Sequence, residues 1–276
     1  MAYFASLICY ITLLFASWSW GYDLSERKAP VGRFKLALDY GLARENFQAV
    51  NPDLPNPKPS EANVLLSTHI TFSRPVNELF TDEQLWQISR DAVDEVEGEV
   101  RQYGFKKALI PRATTIMAWG NETIIATSQK GQSFTYDSTK QTPVLSDLRL
   151  CEATIANSDP RHRTSGSCGE EMVAHIYYLL YLKGPHIRDL YPRARIGTWI
   201  NLGGGTVPRQ ADPCGTNDDL QPPLWGCSRF VGDTAGGQNF DVLDRDLERA
   251  PYRWPLVDTV VGIDQMQLCG SIFIHP

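Results

Sequence analysis

The residues with the strongest claim to chemistry lie in the last 120 positions or so. Cys168-Gly169-Glu170 lies in the run TSGSCGEEMVAHIYYLL (164–180); Pro213-Cys214 comes after the next apolar segment, and Cys227 follows Cys214 after twelve intervening residues, 215–226, the last of them Gly226. A helix N-terminus favours thiolate over thiol, because its first N–H groups lack partners and the macrodipole is positive there. Three thiolates brought together at such a point would hold Zn²⁺ in a tetrahedron with one position left for water. A carboxylate two residues after one ligand could reach that water and carry its proton.

Each of these residues also has a structural reading. Ser167-x-x-Glu170 has the form of a capping box. Cys168, Cys214 and Cys227 could be half-cystines, or Cys168 could be a nucleophile at a helix start with His162 or His175 as its base. His175 lies one turn into the run and reads as a packing or hydrogen-bonding residue. His162, in a polar loop shortly before Cys168, is a candidate for lining a substrate pocket. Trp199 and Trp225 are candidates for stacking on a base, with packing as the alternative.

The elements that must position these groups are legible in the periodicity. VLLSTHITF (64–72) reads as a strand. TDEQLWQISRDAVDEVEGEVRQYGF is an amphipathic helix: Thr81 and Gln84 pair as a capping box, and Leu85, Ile88, Ala92, Val96, Val100 and Tyr103 form one apolar face. Gly104 supplies its stop. ATTIMAWG and ETIIATS are β-branched strands of a hairpin, and SQKGQ turns toward a further strand at SFTYD. The polar stretch 138–165 reads as a long loop that holds Cys151. The run after Cys168 is apolar round most of its circumference, which predicts a buried helix ended by Lys183-Gly184-Pro185. ARIGTWINL (194–202) is the next strand, GGG at 203–205 a loop, DLERAPYRW a short helical piece, and the segment from 260 onward strand.

The N-terminal region differs in kind. Residues 1–21 carry no charge, are apolar from Phe4 to Ala16, and offer Ser19 and Gly21 before a cleavage point at Tyr22. This predicts a signal peptide and a secreted protein with no membrane span after its removal. Asn121-Glu122-Thr123 is then a glycosylation sequon. Residues 22–66 have little periodicity and end in proline-rich sequence, which reads as an extended arm preceding a domain at 67–276. The net charge of −6 argues against a generic polyanion binder, since that affinity comes mainly from Lys and Arg at phosphates. Of six cysteines, Cys9 leaves with the signal and five remain. An odd number fits two disulfides and a free thiol, or one disulfide and a three-cysteine metal site.

The pattern resembles the zinc-dependent nucleoside and nucleobase deaminases. That family has a C/H-x-E motif opening one helix, a P-C-x-x-C motif opening the next, and a strand between them. Cys168-Gly169-Glu170 matches the first motif in its cysteine form, and Pro213-Cys214 matches the start of the second; the preceding helix and hairpin match by element order. Cys227 departs from the spacing, in a manner similar to diverged, toxin-like secreted fungal members with expanded PC…GC turns. The resemblance implies a three-layer α/β/α sandwich of cytidine-deaminase-like type with a central mixed sheet. It implies Zn²⁺ held by Cys168, Cys214 and Cys227, with Glu170 catalytic, and under it Cys151 and Cys269 are left as a disulfide pair. The activity implied is hydrolytic deamination of a cytosine-like base in a nucleoside, nucleobase or nucleic-acid substrate, in a toxin or effector. The alternative is a disulfide-stabilised, non-catalytic effector or binding protein that retains the fold.

Overall fold

A computed structural model describes residues 22–47, 62–131, 142–155, 161–202, 206–215, 224–254 and 259–268. The chain is a mixed α/β protein with an open antiparallel sheet and helices. In chain order the elements are β1 (Ala37–Leu38), α1 (Tyr40–Phe47), β2 (Leu66–Phe72), α2 (Val76–Leu79), α3 (Asp82–Gln102), β3 (Ala113–Trp119) and β4 (Glu122–Thr127). They continue with α4 (Pro143–Ala153), β5 (Arg161–His162), α5 (Gly169–Leu180), β6 (Arg195–Ile200), β7 (Arg209–Ala211), β8 (Leu224–Trp225), α6 (Cys227–Val231), β9 (Asp241–Val242) and β10 (Val260–Asp264).

The middle of the sheet runs β2-β4-β3-β6. On the free side of β2, β1 pairs with its start and β10 with its remainder; on the free side of β6, β7 and β9 divide the edge in the same way. Every pairing in this sheet among the described residues is antiparallel except β6 with β9. The expected central mixed sheet is therefore antiparallel in all but that one short edge. β5 and β8 form a separate parallel pair.

Because side chains alternate across a strand, adjacent residues of β3 and β4 enter different cores. Ile116, Ala118 and Ile125 pack with Leu85, Trp86, Ala92 and Val96 of α3. Met117, Ile124 and Ala126 pack with Met172, Val173, Ile176 and Tyr177 of α5, together with Val144, Leu148 and Cys151 of α4. The capping box of α3 forms as expected: the Thr81 hydroxyl accepts from Gln84 N, and the Gln84 side chain accepts from Thr81 N. Gly104 follows the helix at φ 69°, in the left-handed region glycine tolerates.

Four local expectations are corrected. The stretch read as a long loop contains α4, whose signals are Pro143 at its first turn and the apolar spacing Val144, Leu148, Cys151. DLERAPYRW forms no helix, since Pro251 removes a donor and restricts the residue before it. The segment read as an arm enters the core instead of lying on the surface: Phe34 and Leu36 are fully buried and β1 extends the sheet. Lys183-Gly184-Pro185 lies beyond the end of α5, which closes at Tyr181. The signal segment, the proline-rich residues 48–61, SFTYD, the GGG loop and Cys269 lie outside the described residues.

What draws the N-terminal segment inward is a carboxylate. Glu95 of α3 accepts hydrogen bonds from Phe34 N (2.9 Å) and Leu36 N (2.7 Å). One turn on, Glu99 is fully buried and receives the Gln102 amide. Burial, reinforced by the Glu95 charge, pushes the Glu99 carboxyl up to about 7. In the unfolded chain the same group ionises near 4.5. The folded state therefore keeps a proton that the unfolded state has lost between those two pH values. The contribution to stability is whole below about 4.5 and is lost as pH rises through about 7. The loss is on the order of 1–2 kcal/mol. Glu99→Gln is expected to be more stable than the parent at pH 8 by that amount and equal to it at pH 4.5. Urea midpoints at the two pH values measure this; an unchanged difference between parent and variant would show that Glu99 does not titrate as described.

Candidate metal centre

The site is assembled where α5 begins, against the middle of the sheet. Gly169 makes the close approach possible: a Cβ there would stand 2.1 Å from Thr115 Oγ1 and 2.8 Å from Thr115 Cβ. Thr115 on β3 and Thr198 on β6 are register partners. Their hydroxyls lie 2.8 Å apart, and Thr198 donates to Glu170 Oε1 at 2.9 Å. Since Thr198 donates to the carboxylate, Thr115 donates to Thr198, so two threonines on facing strands form a polar floor that holds Glu170.

Cys168 is the N-cap of α5, with extended backbone and no side-chain cap. The capping box read into Ser167 and Glu170 does not form; Ser167 O instead accepts from Gln129 N, and Glu170 is taken by Thr198. Cys214 stands in a turn after β7, and Cys227 opens α6. Gly226 sets their distance, since a Cβ there would lie 2.4 Å from Cys214 O and 2.5 Å from Cys214 Sγ. Ser228 N donates to Cys214 O (2.9 Å) and Cys227 N to Cys214 Sγ (3.2 Å). The excursion between these two cysteines therefore begins and ends at one place.

The three sulfurs converge. Cys168 Sγ is 3.9 Å from Cys214 Sγ, which is 3.3 Å from Cys227 Sγ. Cys168 and Cys227 sulfurs and a carboxylate oxygen each from Glu170 and Glu171 lie within 4.8 Å of one another. A disulfide holds its sulfurs about 2.05 Å apart, and all three cysteines are free. Ligands at about 2.3 Å from a tetrahedral metal have sulfurs roughly 3.8 Å apart; the Cys168–Cys214 pair at 3.9 Å matches this and the Cys214–Cys227 pair at 3.3 Å is closer.

The electrostatics run the same way. The thiols of Cys168 and then Cys227, helped by Cys227 N–H, hold the Cys214 thiol well below its ordinary value. The bond to Cys214 pushes Cys168 up, and burial pushes Cys227 up. One sulfur of the three, that of Cys214, thus takes the negative charge. Glu170, 3% exposed, is pushed up to about 8 by burial, then by Glu171 and Cys214. Glu171 is fully buried, and its Oε1 has no hydrogen-bond partner. Five acidic groups around one point are a donor set that a divalent cation would relieve. Comparison with protein-family models, curated proteins and solved structures returns no match.

The remaining sequence candidates are placed as follows. His162, expected on a polar loop, belongs to β5 and is nearly buried beside the sulfurs, with Nε2 3.4 Å from Glu171 Oε1 and 3.9 Å from Cys227 Sγ. Trp225 is buried behind it, edge-on to the imidazole at 4.6 Å. Trp199 packs against Trp86 on the α3 side of the sheet, away from the cysteines. His175 is buried and bonded to the Thr142 hydroxyl. Asn121 is exposed on the β3–β4 turn, its amide donating to Phe72 O. Cys151 is a free buried thiol pushed up to about 11 by burial; its expected partner Cys269 lies outside the described residues. Sequence reading missed Glu171, Thr115, Thr198 and Thr164, whose hydroxyl is 2.9 Å from Cys168 Sγ. Only Glu171 had a signal, its place in the first turn of the helix.

Proposed function

We propose that the chain is a secreted zinc-dependent hydrolase of the deaminase type, acting on a cytosine-like cyclic amidine in a nucleobase-type substrate and serving as a toxin or effector. The observation that carries this reading is the convergence of Cys168, Cys214 and Cys227 beside the Glu170 carboxyl. The sulfurs would hold the zinc, which supplies Lewis acidity and a nucleophile from water at neutral pH. Glu170 would move the protons: its buried carboxyl, oriented by the Thr198 hydroxyl, is within reach of the same point and is tuned toward neutrality, as a group that must accept and return a proton requires.

The fold supports the same reading. A helix and a hairpin precede the helix that carries Cys168 and Glu170, and β6 separates it from the turn that carries Cys214. Helices on the two faces of the sheet accord with a cytidine-deaminase-like three-layer sandwich. The separation of the three sulfurs favours a metal over the half-cystines of the non-catalytic alternative.

Metal analysis with an ammonia-release screen tests the proposal. The wild type is expected to bind one zinc per chain and Cys168→Ser to lose it. Glu170→Gln is expected to keep the metal while ammonia release from nucleosides or oligonucleotides falls by about 10²–10⁴. A wild type that binds no zinc would end the proposal, and a Glu170→Gln variant that releases ammonia at the wild-type rate would remove Glu170 from the chemistry.

A further inference from the structure

We propose that His162 serves this centre as an outer hydrogen-bond donor and not as a metal ligand, so that the ligands are the three cysteine sulfurs alone and the fourth position stays open. The inference rests on the zinc reading above and assigns a role to a residue whose position, beside both Cys227 and Cys214, would otherwise mark it as the fourth ligand.

The tautomer decides between these roles. His162 Nδ1 receives two backbone N–H groups, from Thr164 at 3.2 Å and from Gly166 at 2.9 Å; the Thr164 hydroxyl lies 3.1 Å away. A backbone amide only donates, so Nδ1 must offer its lone pair, and a neutral imidazole then carries its proton on Nε2. A nitrogen that carries a proton has no lone pair for a metal. Metal-bound histidines show the opposite arrangement, in which the outer nitrogen donates to a carboxylate or carbonyl and the inner one is free to ligate.

The ring has little freedom to reverse this. The turn that aims both N–H groups at Nδ1 passes through two left-handed residues, Ser165 (φ 52°) and Gly166 (φ 75°). It is closed by Ser165 N to His162 O and Ser167 N to Thr164 O, and Arg163 N is tied to Trp225 O. A ring flip would take Nδ1 away from both amides. Trp225 stands edge-on against the imidazole at 4.6 Å.

On the other side of the ring, Nε2–H meets what needs a donor. Glu171 Oε1, fully buried and without a hydrogen-bond partner, is 3.4 Å away, and Cys227 Sγ is 3.9 Å away. The Cys227 thiol donates to Glu171 Oε2 at 3.5 Å. If Cys227 served as a thiolate ligand, that proton would leave to solvent, and His162 Nε2–H would be the neighbouring donor between a buried carboxylate and a buried thiolate. The position facing Glu170 is left for water.

Nuclear magnetic resonance on ¹⁵N-histidine-labelled protein loaded with ¹¹³Cd reads this directly. The expected spectrum has His162 protonated at Nε2, unprotonated at Nδ1, and without cadmium coupling at either nitrogen. His162→Gln is expected to bind one cadmium per chain, with affinity lowered about 10–100-fold, as for loss of an outer partner. Cadmium coupling to Nε2, a proton on Nδ1, or loss of stoichiometric metal from a folded His162→Gln variant would overturn the assignment while leaving the metal centre standing. A wild type that takes up neither cadmium nor zinc would overturn the centre itself.

Discussion

Cys214→Ser is expected to release zinc from the folded protein and to remove its protection against heat. Cys214 holds the centre of the cluster: it lies 3.9 Å from Cys168 and 3.3 Å from Cys227, receives the Cys227 N–H, and is the sulfur whose thiol is held well below its ordinary value. Serine offers an alcohol that stays protonated at neutral pH and binds Zn²⁺ far less well than a thiolate. Loss of an outer partner already costs about 10–100-fold in metal affinity, so loss of this ligand should exceed 100-fold. Metal that binds only the folded state stabilises it by mass action, about 4.1 kcal/mol at a thousandfold excess over Kd. The parent should therefore melt higher with zinc than with a chelator, and Cys214→Ser should melt at one temperature in both. A variant that keeps one tightly bound zinc would show that Cys214 is not a ligand.

Gly226→Ala is expected to damage the centre nearly as much without altering any group that could touch a metal. The added methyl would lie 2.4 Å from Cys214 O, 2.5 Å from its sulfur and 2.7 Å from its carbonyl carbon. Two of these are backbone atoms, which cannot move aside as a flexible side chain would. Relief requires the Cys214 turn to draw back from α6, breaking the bonds from Ser228 N and Cys227 N to Cys214. Overpacking of this kind costs about 1–3 kcal/mol in a core, and here it falls on the spacing of two ligands. Zinc affinity should fall at least tenfold while far-ultraviolet circular dichroism stays that of the parent. A competition titration that returned the parental affinity would show that the close approach is not needed for binding.

Much of the scaffold was legible because local rules and tertiary packing agree there. The Thr81–Gln84 box, the apolar face of α3, the β-branched hairpin and the all-round apolar helix after Cys168 each follow from side-chain chemistry within a few residues. The misreadings arose where the deciding partner is distant. Leu36 looks like part of a loose arm until Glu95 of α3 accepts its amide, and the short apolar spacing of α4 gains its weight when Val144, Leu148 and Cys151 meet α5. Ser167 and Glu170 have the spacing of a cap, but Thr198 from another strand takes the carboxylate first. In the site, residue types pointed to the three cysteines and to Glu170. They could not point to Thr115 and Thr198, which matter because β3 and β6 pair in that register, or to the turn that orients His162.

The meeting of Gly226 with Cys214 bears on how far a ligand spacing can be read as geometry. The chain departs from Cys214 and returns to it, setting β8 and Trp225 against His162 just before it closes. Changes of length between 216 and 223 are expected to leave the contact of Gly226 with Cys214 in place, provided Leu224, Trp225 and Gly226 remain. In this protein the quantity to preserve between Cys214 and Cys227 is a contact more than a count of residues.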